Sequence, residues 1–115
     1  MPRELSAKEK AAFAANPAFE KAAERESKQL LKKPENTELL DLYGLYKVGC
    51  GEDIKDAATP GMFDLKGKAK LKAWQEFVDQ GLTAEQAQER YIALVEELKK
   101  KHGFDPAKEP EVVGS

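Results

Sequence analysis

The chain is punctuated for helices. Five times a capping residue stands just ahead of a segment that can coil: Ser6 with Glu9, Asn16 with Pro17, Asn36, Asp64, and Thr83 with Gln86. Ser, Thr, Asn and Asp side chains accept hydrogen bonds from first-turn amides that have no partner inside the helix, and a Glu or Gln three residues on can return the bond. Stop signals answer the starts: Pro34, then Gly49 and Gly51, then Gly81, then Gly103. Between them, apolar residues recur three and four apart, which is the spacing of one helix face.

This punctuation predicts four amphipathic helices. The first runs over 17–33 and turns Phe19, Ala22, Ala23, Leu30 and Leu31 inward. The second covers 37–48, with Leu39, Leu42, Tyr43 and Tyr46 at helical spacing. The third covers 65–79 with Trp74, Phe77 and Val78, and the fourth covers 84–101 with Ala87, Tyr91, Leu94, Val95 and Leu98. No strand-like alternation and no internal repeat is present. An all-α fold, four helices around one core, is the economical solution for 115 residues. Residues 1–15 read as an N-terminal extension holding a short helix through Phe13, 16–103 as the four-helix domain, and 104–115 as a flexible C-terminal tail. The connection 49–63, with a turn at Pro60-Gly61, is long for so small a domain, and such loops are often functional.

Composition excludes several functions. Lys and Arg number 19 against 21 Asp and Glu, a net charge of -2, so no global basic field draws nucleic acid or an anionic membrane. The single cysteine, Cys50, cannot form an internal disulfide. The polar start has no apolar core of a secretory signal, and no apolar run reaches the length of a membrane span. A cytoplasmic location without stable membrane insertion is the expectation. One histidine, His102, and one cysteine provide no metal-ligand spacing. Gly49-Cys50-Gly51 lacks the strand a dinucleotide fold needs, and Gly67-Lys68 lacks the rest of a P-loop. Nothing pairs a nucleophile with a base, so neither catalysis nor a cofactor is expected.

Two clusters remain. Tyr43, Tyr46 and Lys47 lie at i, i+3 and i+4 on a helix, so two phenols and an ammonium share a face that can stack a planar base and bond a phosphate. The same spacing also suits two core tyrosines with hydroxyls at the rim and a lysine extending past them. Lys66 and Lys70 stand one turn apart near a helix N-terminus, where cations oppose the helix dipole but would help attract phosphate. An exposed basic helix start is the plainer alternative.

Read in order, these clusters resemble the acyl-CoA-binding protein family. The resemblance is carried by Phe19-Glu20-Lys21-Ala22-Ala23, by Lys33-Pro34, by Glu38-Leu39-Leu40, by Leu42-Tyr43-Gly44-Leu45-Tyr46-Lys47 and by Gly51-Glu52-Asp53-Ile54. It continues in Pro60-Gly61-Met62-Phe63-Asp64-Leu65-Lys66-Gly67-Lys68-Ala69-Lys70, in Ala73-Trp74 and in Tyr91-Ile92-Ala93-Leu94-Val95-Glu96-Glu97-Leu98. It implies a four-helix up-down-down-up bundle that binds medium- to long-chain acyl-CoA esters without reacting with them and serves as an intracellular carrier; a monomer is the expectation because no second apolar surface is evident in the sequence. It further implies that Tyr43, Tyr46, Lys47 and Lys70 hold the adenine and the 3′-phosphate, with Lys66 nearby and Tyr91 approaching from the last helix. The family's first-helix lysine falls on Lys28 when counted back from Pro34, whereas counting forward from Phe19 reaches Ser27. The connection before Pro60 is one residue longer than the pattern, and the Gln80-Gly81-Leu82 loop about two longer. Leu71 stands where a tryptophan is common, which takes aromatic surface from the expected acyl groove. The rival from another class is a helical protein–protein interaction module with no lipid ligand. A thioesterase is a third possibility, opposed by the absent nucleophile.

Overall fold

The structure, a computed structural model, describes residues 4–108. Among these are five α-helices: α1 (Ala7–Ala15), α2 (Pro17–Glu24), α3 (Asn36–Gly49), α4 (Leu65–Asp79) and α5 (Ala84–His102). Short 3-10 turns follow α2 at Glu26–Lys28 and interrupt the long connection at Ile54–Asp56. The chain is all-α, and α2 to α5 are the four helices of the expected bundle, with α1 added in front. The first three residues of the extension and residues 109–115 of the tail lie outside the described residues.

The expected caps form. The Ser6 hydroxyl accepts the Glu9 amide at 3.1 Å and the Glu9 carboxylate accepts the Ser6 amide at 2.9 Å. Asn16 Oδ1 accepts the Phe19 amide at 3.2 Å, with Pro17 at the first helical position. Asp64 accepts the Gly67 amide at 2.9 Å, and Thr83 and Gln86 exchange bonds of 3.1 and 2.9 Å. The expected cap at Asn36 moves by one residue: Glu35 caps α3, its amide donating to the Glu38 carboxylate at 2.8 Å.

The first bundle helix is much shorter than the 17–33 predicted. It ends at Glu24, Arg25 leaves helical geometry (φ -124°, ψ -64°), and the chain tightens into the 3-10 turn. There the Ser27 hydroxyl donates to the Ala23 carbonyl at 3.0 Å, a bond that competes with the next helical turn. The gain is tertiary. Leu30 pairs with Phe104 as an isolated antiparallel bridge, the Leu31 amide donates to the Gly103 carbonyl at 2.9 Å, and the Asp105 amide donates to the Gln29 carbonyl at 3.2 Å. The buried Gln29 side chain donates to the carbonyls of both Pro106 and Lys108 at 3.0 Å. The tail expected from Phe104 onward is therefore folded against this segment as far as Lys108. Leu31, expected inside, is 57% exposed, and Val78 is 38% exposed.

Packing centres on α3, which lies against both α4 and α5, while α2 packs on α5 and α1 on α2. A Cβ on Gly44 would stand 2.6 Å from the Phe77 ring, so the glycine sets how closely α3 and α4 approach. Phe13, Phe19, Tyr46 and Tyr91 form one aromatic cluster with centroid separations between 5.3 and 6.2 Å. Gln88, itself buried, donates to the Gly49 carbonyl at 2.8 Å and accepts from Asn16 at 3.1 Å, tying α5 to the end of α3 and the start of α2.

Candidate ligand-binding site

Two cavities are each lined by residues of both α3 and α4. The first, about 430 Å³, is lined by Tyr43 and Lys47, by Glu52, Asp53 and Asp56, by Leu71 and Trp74, and by Lys8 of α1. The second, about 440 Å³, is walled by Leu39, Leu40, Leu65 and Ala69, with Lys33, Lys66 and Lys70 around it. Helical spacing explains both walls. Leu39 and Tyr43 are one turn apart on α3, as are Lys70 and Trp74 on α4, so one strip of each helix serves both cavities.

Tyr43 lines the first cavity, and a lysine of the second reaches its ring. Lys70 Nζ lies 5.4 Å from the Tyr43 ring centroid and Lys47 Nζ lies 5.7 Å from it, so ammonium groups from two helices reach one ring. Lys47 Nζ is also 5.5 Å from the Trp74 centroid, and the Tyr43 and Trp74 rings meet edge to face at 6.4 Å. Burial pulls the Lys47 ammonium toward deprotonation, but the Glu52 carboxylate, bonded at 2.7 Å, outweighs it and holds the pKa above the usual lysine value. The cavity thus keeps its lysine charged while desolvating it. Trp74 is 4% exposed, and its indole N–H has no hydrogen-bond partner among the described residues.

The expected site residues separate into groups. Tyr43 and Lys47 line the first cavity, Lys66 and Lys70 the second. Tyr46 and Tyr91 lie in the aromatic cluster beneath α1, where the Tyr46 hydroxyl donates to the Glu9 carboxylate. Burial pushes the Tyr91 phenol up to about 12 and the Cys50 thiol, beside Tyr46, also up to about 12. Neither group is ionised near neutral pH, so neither offers an anionic nucleophile. Lys28 lies on the 3-10 turn, 3.7 Å from Glu24, and lines neither cavity.

Leu71 lines the Tyr43–Lys47 cavity and not the leucine-walled one. The leucine that stands at the tryptophan position therefore falls on the cavity of Tyr43 and Lys47. The leucine wall itself escaped the sequence reading. Its signal was the adjacent pair Leu39-Leu40, which a helix cannot turn entirely toward one core, together with Leu65, an apolar residue placed directly after a cap.

Comparison with known proteins identifies the family. A family model described as acyl CoA binding protein matches residues 16–95. The chain is 53% identical over 77 residues to acyl-CoA-binding protein homolog 1 of Caenorhabditis elegans, an alignment covering 66% of this chain and 85% of that protein. It is 45% identical over 84 residues to the acyl-CoA-binding protein homolog of Drosophila melanogaster, covering 73% and 93% respectively. The family is one of acyl-CoA binders and not of enzymes, and its match spans α2 through most of α5, including Tyr43, Lys47, Lys66 and Lys70. With its helical fold, its paired cavities and these relatives, the chain belongs to the acyl-CoA-binding protein family.

Proposed function

We propose that this protein binds medium- to long-chain acyl-CoA esters non-covalently and carries them as a monomer in the cytoplasm. The observation that carries the reading is Tyr43, on the wall of a polar cavity with Lys47 beside its ring, reached also by Lys70 from the wall of a leucine-lined one. A two-ended ligand fits that layout. The nucleotide takes the side of Tyr43 and Lys47, with Lys70 and Lys66 on the phosphates, and the acyl chain runs along Leu39, Leu40 and Leu65. Tyr46 and Tyr91 support the site from within the aromatic cluster. Among the described residues no helix is long and apolar enough to cross a membrane, which suits a carrier that shields its cargo in water.

Both ends of the ligand are needed for tight binding. Each buried methylene contributes about 0.8 kcal/mol, so a dozen give roughly 10 kcal/mol before losses. Hydrogen bonds to charged phosphate add roughly 1.5–3 kcal/mol each. Lost motional freedom and ordering consume part of the sum. Titration calorimetry with palmitoyl-CoA, CoA and palmitate is the test. The ester should bind far more tightly than either fragment, and equal affinity for ester and free acid would refute the reading.

One observation favours a second reading. Met62, Phe63 and Leu65 are 75%, 91% and 75% exposed, an apolar run that a protein partner could cover. Native mass spectrometry of protein expressed in bacteria separates the two: co-purified acyl-CoA supports the carrier, and a stable protein complex without ligand supports the interaction module.

A further inference from the structure

The family match begins at Asn16, so α1 lies ahead of the shared segment. It is nonetheless built into the molecule. Phe13 is 3% exposed and joins the aromatic cluster, and Ala12 is 8% exposed. Glu9, 6% exposed, caps its own helix through the Ser6 amide and accepts the Tyr46 hydroxyl of α3. One carboxylate thus fixes both the start of α1 and its seat on the bundle.

That seat places the neighbouring residue, Lys8, on the wall of the cavity that holds Tyr43, Lys47 and Trp74. The charges there are unevenly matched. Lys47 is already bonded to Glu52, and Asp53 and Asp56 add further negative charge to the lining. Lys8 has no ion-pair partner among the described residues. It is the cation of this cavity that an incoming anion can reach without displacing a carboxylate.

We propose that Lys8 is a ligand-binding residue of this protein, delivered by a helix outside the shared family segment, whose ammonium contacts the phosphates at the nucleotide end of the bound ester. The inference rests on the acyl-CoA reading above. Lys28, ion-paired on the 3-10 turn, lines neither cavity, and Lys33 lines only the leucine-walled one, so α1 supplies the N-terminal cation of the Tyr43–Lys47 cavity.

The test is calorimetric titration of palmitoyl-CoA into the full chain and into Lys8→Ala, Lys8→Arg and Lys10→Ala. Lys8 and Lys10 are both exposed on α1, so these changes leave the packing intact, and circular dichroism verifies that. Lys8→Ala should weaken binding about tenfold, the scale of one charge-assisted hydrogen bond. Lys8→Arg should restore most of the affinity, and Lys10→Ala should match the parent. If the parent binds and Lys8→Ala binds equally well, the inference fails alone. Equal weakening by Lys10→Ala overturns it in favour of unspecific attraction. Tighter binding by Lys8→Ala overturns it in favour of α1 as an obstacle to the ligand. A parent protein that binds no ester removes the acyl-CoA reading and this inference together.

Discussion

The hydroxyl of Tyr46 on α3 donates to the carboxylate of Glu9 on α1, and the same carboxylate accepts the Ser6 amide that starts α1. A residue in the N-terminal segment thereby orients a tyrosine in the middle of the bundle. Both groups are largely withdrawn from water, where losing one partner costs more than the bond itself contributes.

Tyr46→Phe should therefore destabilise the fold by about 1–3 kcal/mol, because it strips a buried carboxylate of a donor. Thermal unfolding of Tyr46→Phe, Glu9→Gln and the double variant measures the coupling. An interaction energy above about 0.5 kcal/mol is expected for groups in direct contact. Strict additivity would show that the pair is not coupled.

Lys47→Ala should weaken palmitoyl-CoA binding by roughly tenfold or more, the scale of a charge-assisted phosphate contact. It should leave the midpoint of urea unfolding almost unmoved, because the part-exposed Lys47–Glu52 pair contributes about 0–1 kcal/mol. Calorimetry beside urea titration reads both effects. A variant that melts early while binding normally would recast Lys47 as structural.

Gly44→Ala should cost about 1–3 kcal/mol through overpacking, since the added carbon meets the Phe77 ring and the Ala73 carbonyl. Gly61→Ala, where nothing lies within 4 Å of the new carbon, is the contrasting substitution. Comparing their thermal midpoints checks the claim that α3 and α4 touch at Gly44.

Acid should remove one contribution at a defined point. The Glu35 amide, with His102 and Lys101, outweighs desolvation and holds the Glu38 carboxyl down to about 2 from an ordinary value of 4.5. A carboxyl with a lowered pKa in the folded state stabilises fully above 4.5, and this contribution fades as pH falls toward 2. The stability gap between parent and Glu38→Gln should thus shrink across that window. Urea unfolding at a series of pH values measures it, and a constant gap would mean that the carboxylate is not specifically stabilised.

Helix starts were legible in the sequence because caps are local: a side chain within three residues either can reach a first-turn amide or cannot. Asp64 and Thr83 placed α4 and α5 at their observed starts for that reason, and Ser6 placed α1. The clamp of Tyr43, Lys47 and Lys70 was half legible. Spacing put Tyr43 and Lys47 on one face, but only the approach of α4 to α3 across Gly44 brings Lys70 to the same ring. Tyr46 carries the same sequence signal as Tyr43, yet its hydroxyl goes to Glu9, because α1 docks over that part of α3. The end of α2 was hidden for a related reason. Between Glu24 and Pro34 no proline or glycine stops a helix, the one local competitor is the Ser27 hydroxyl on the Ala23 carbonyl, and the chain leaves helical geometry to give Gln29, Leu30 and Leu31 partners among Gly103 to Lys108. Local hydrogen bonding thus determined where helices begin. Contacts between residues distant in the chain decided where one of them ends, and which of the equally spaced tyrosines faces a cavity.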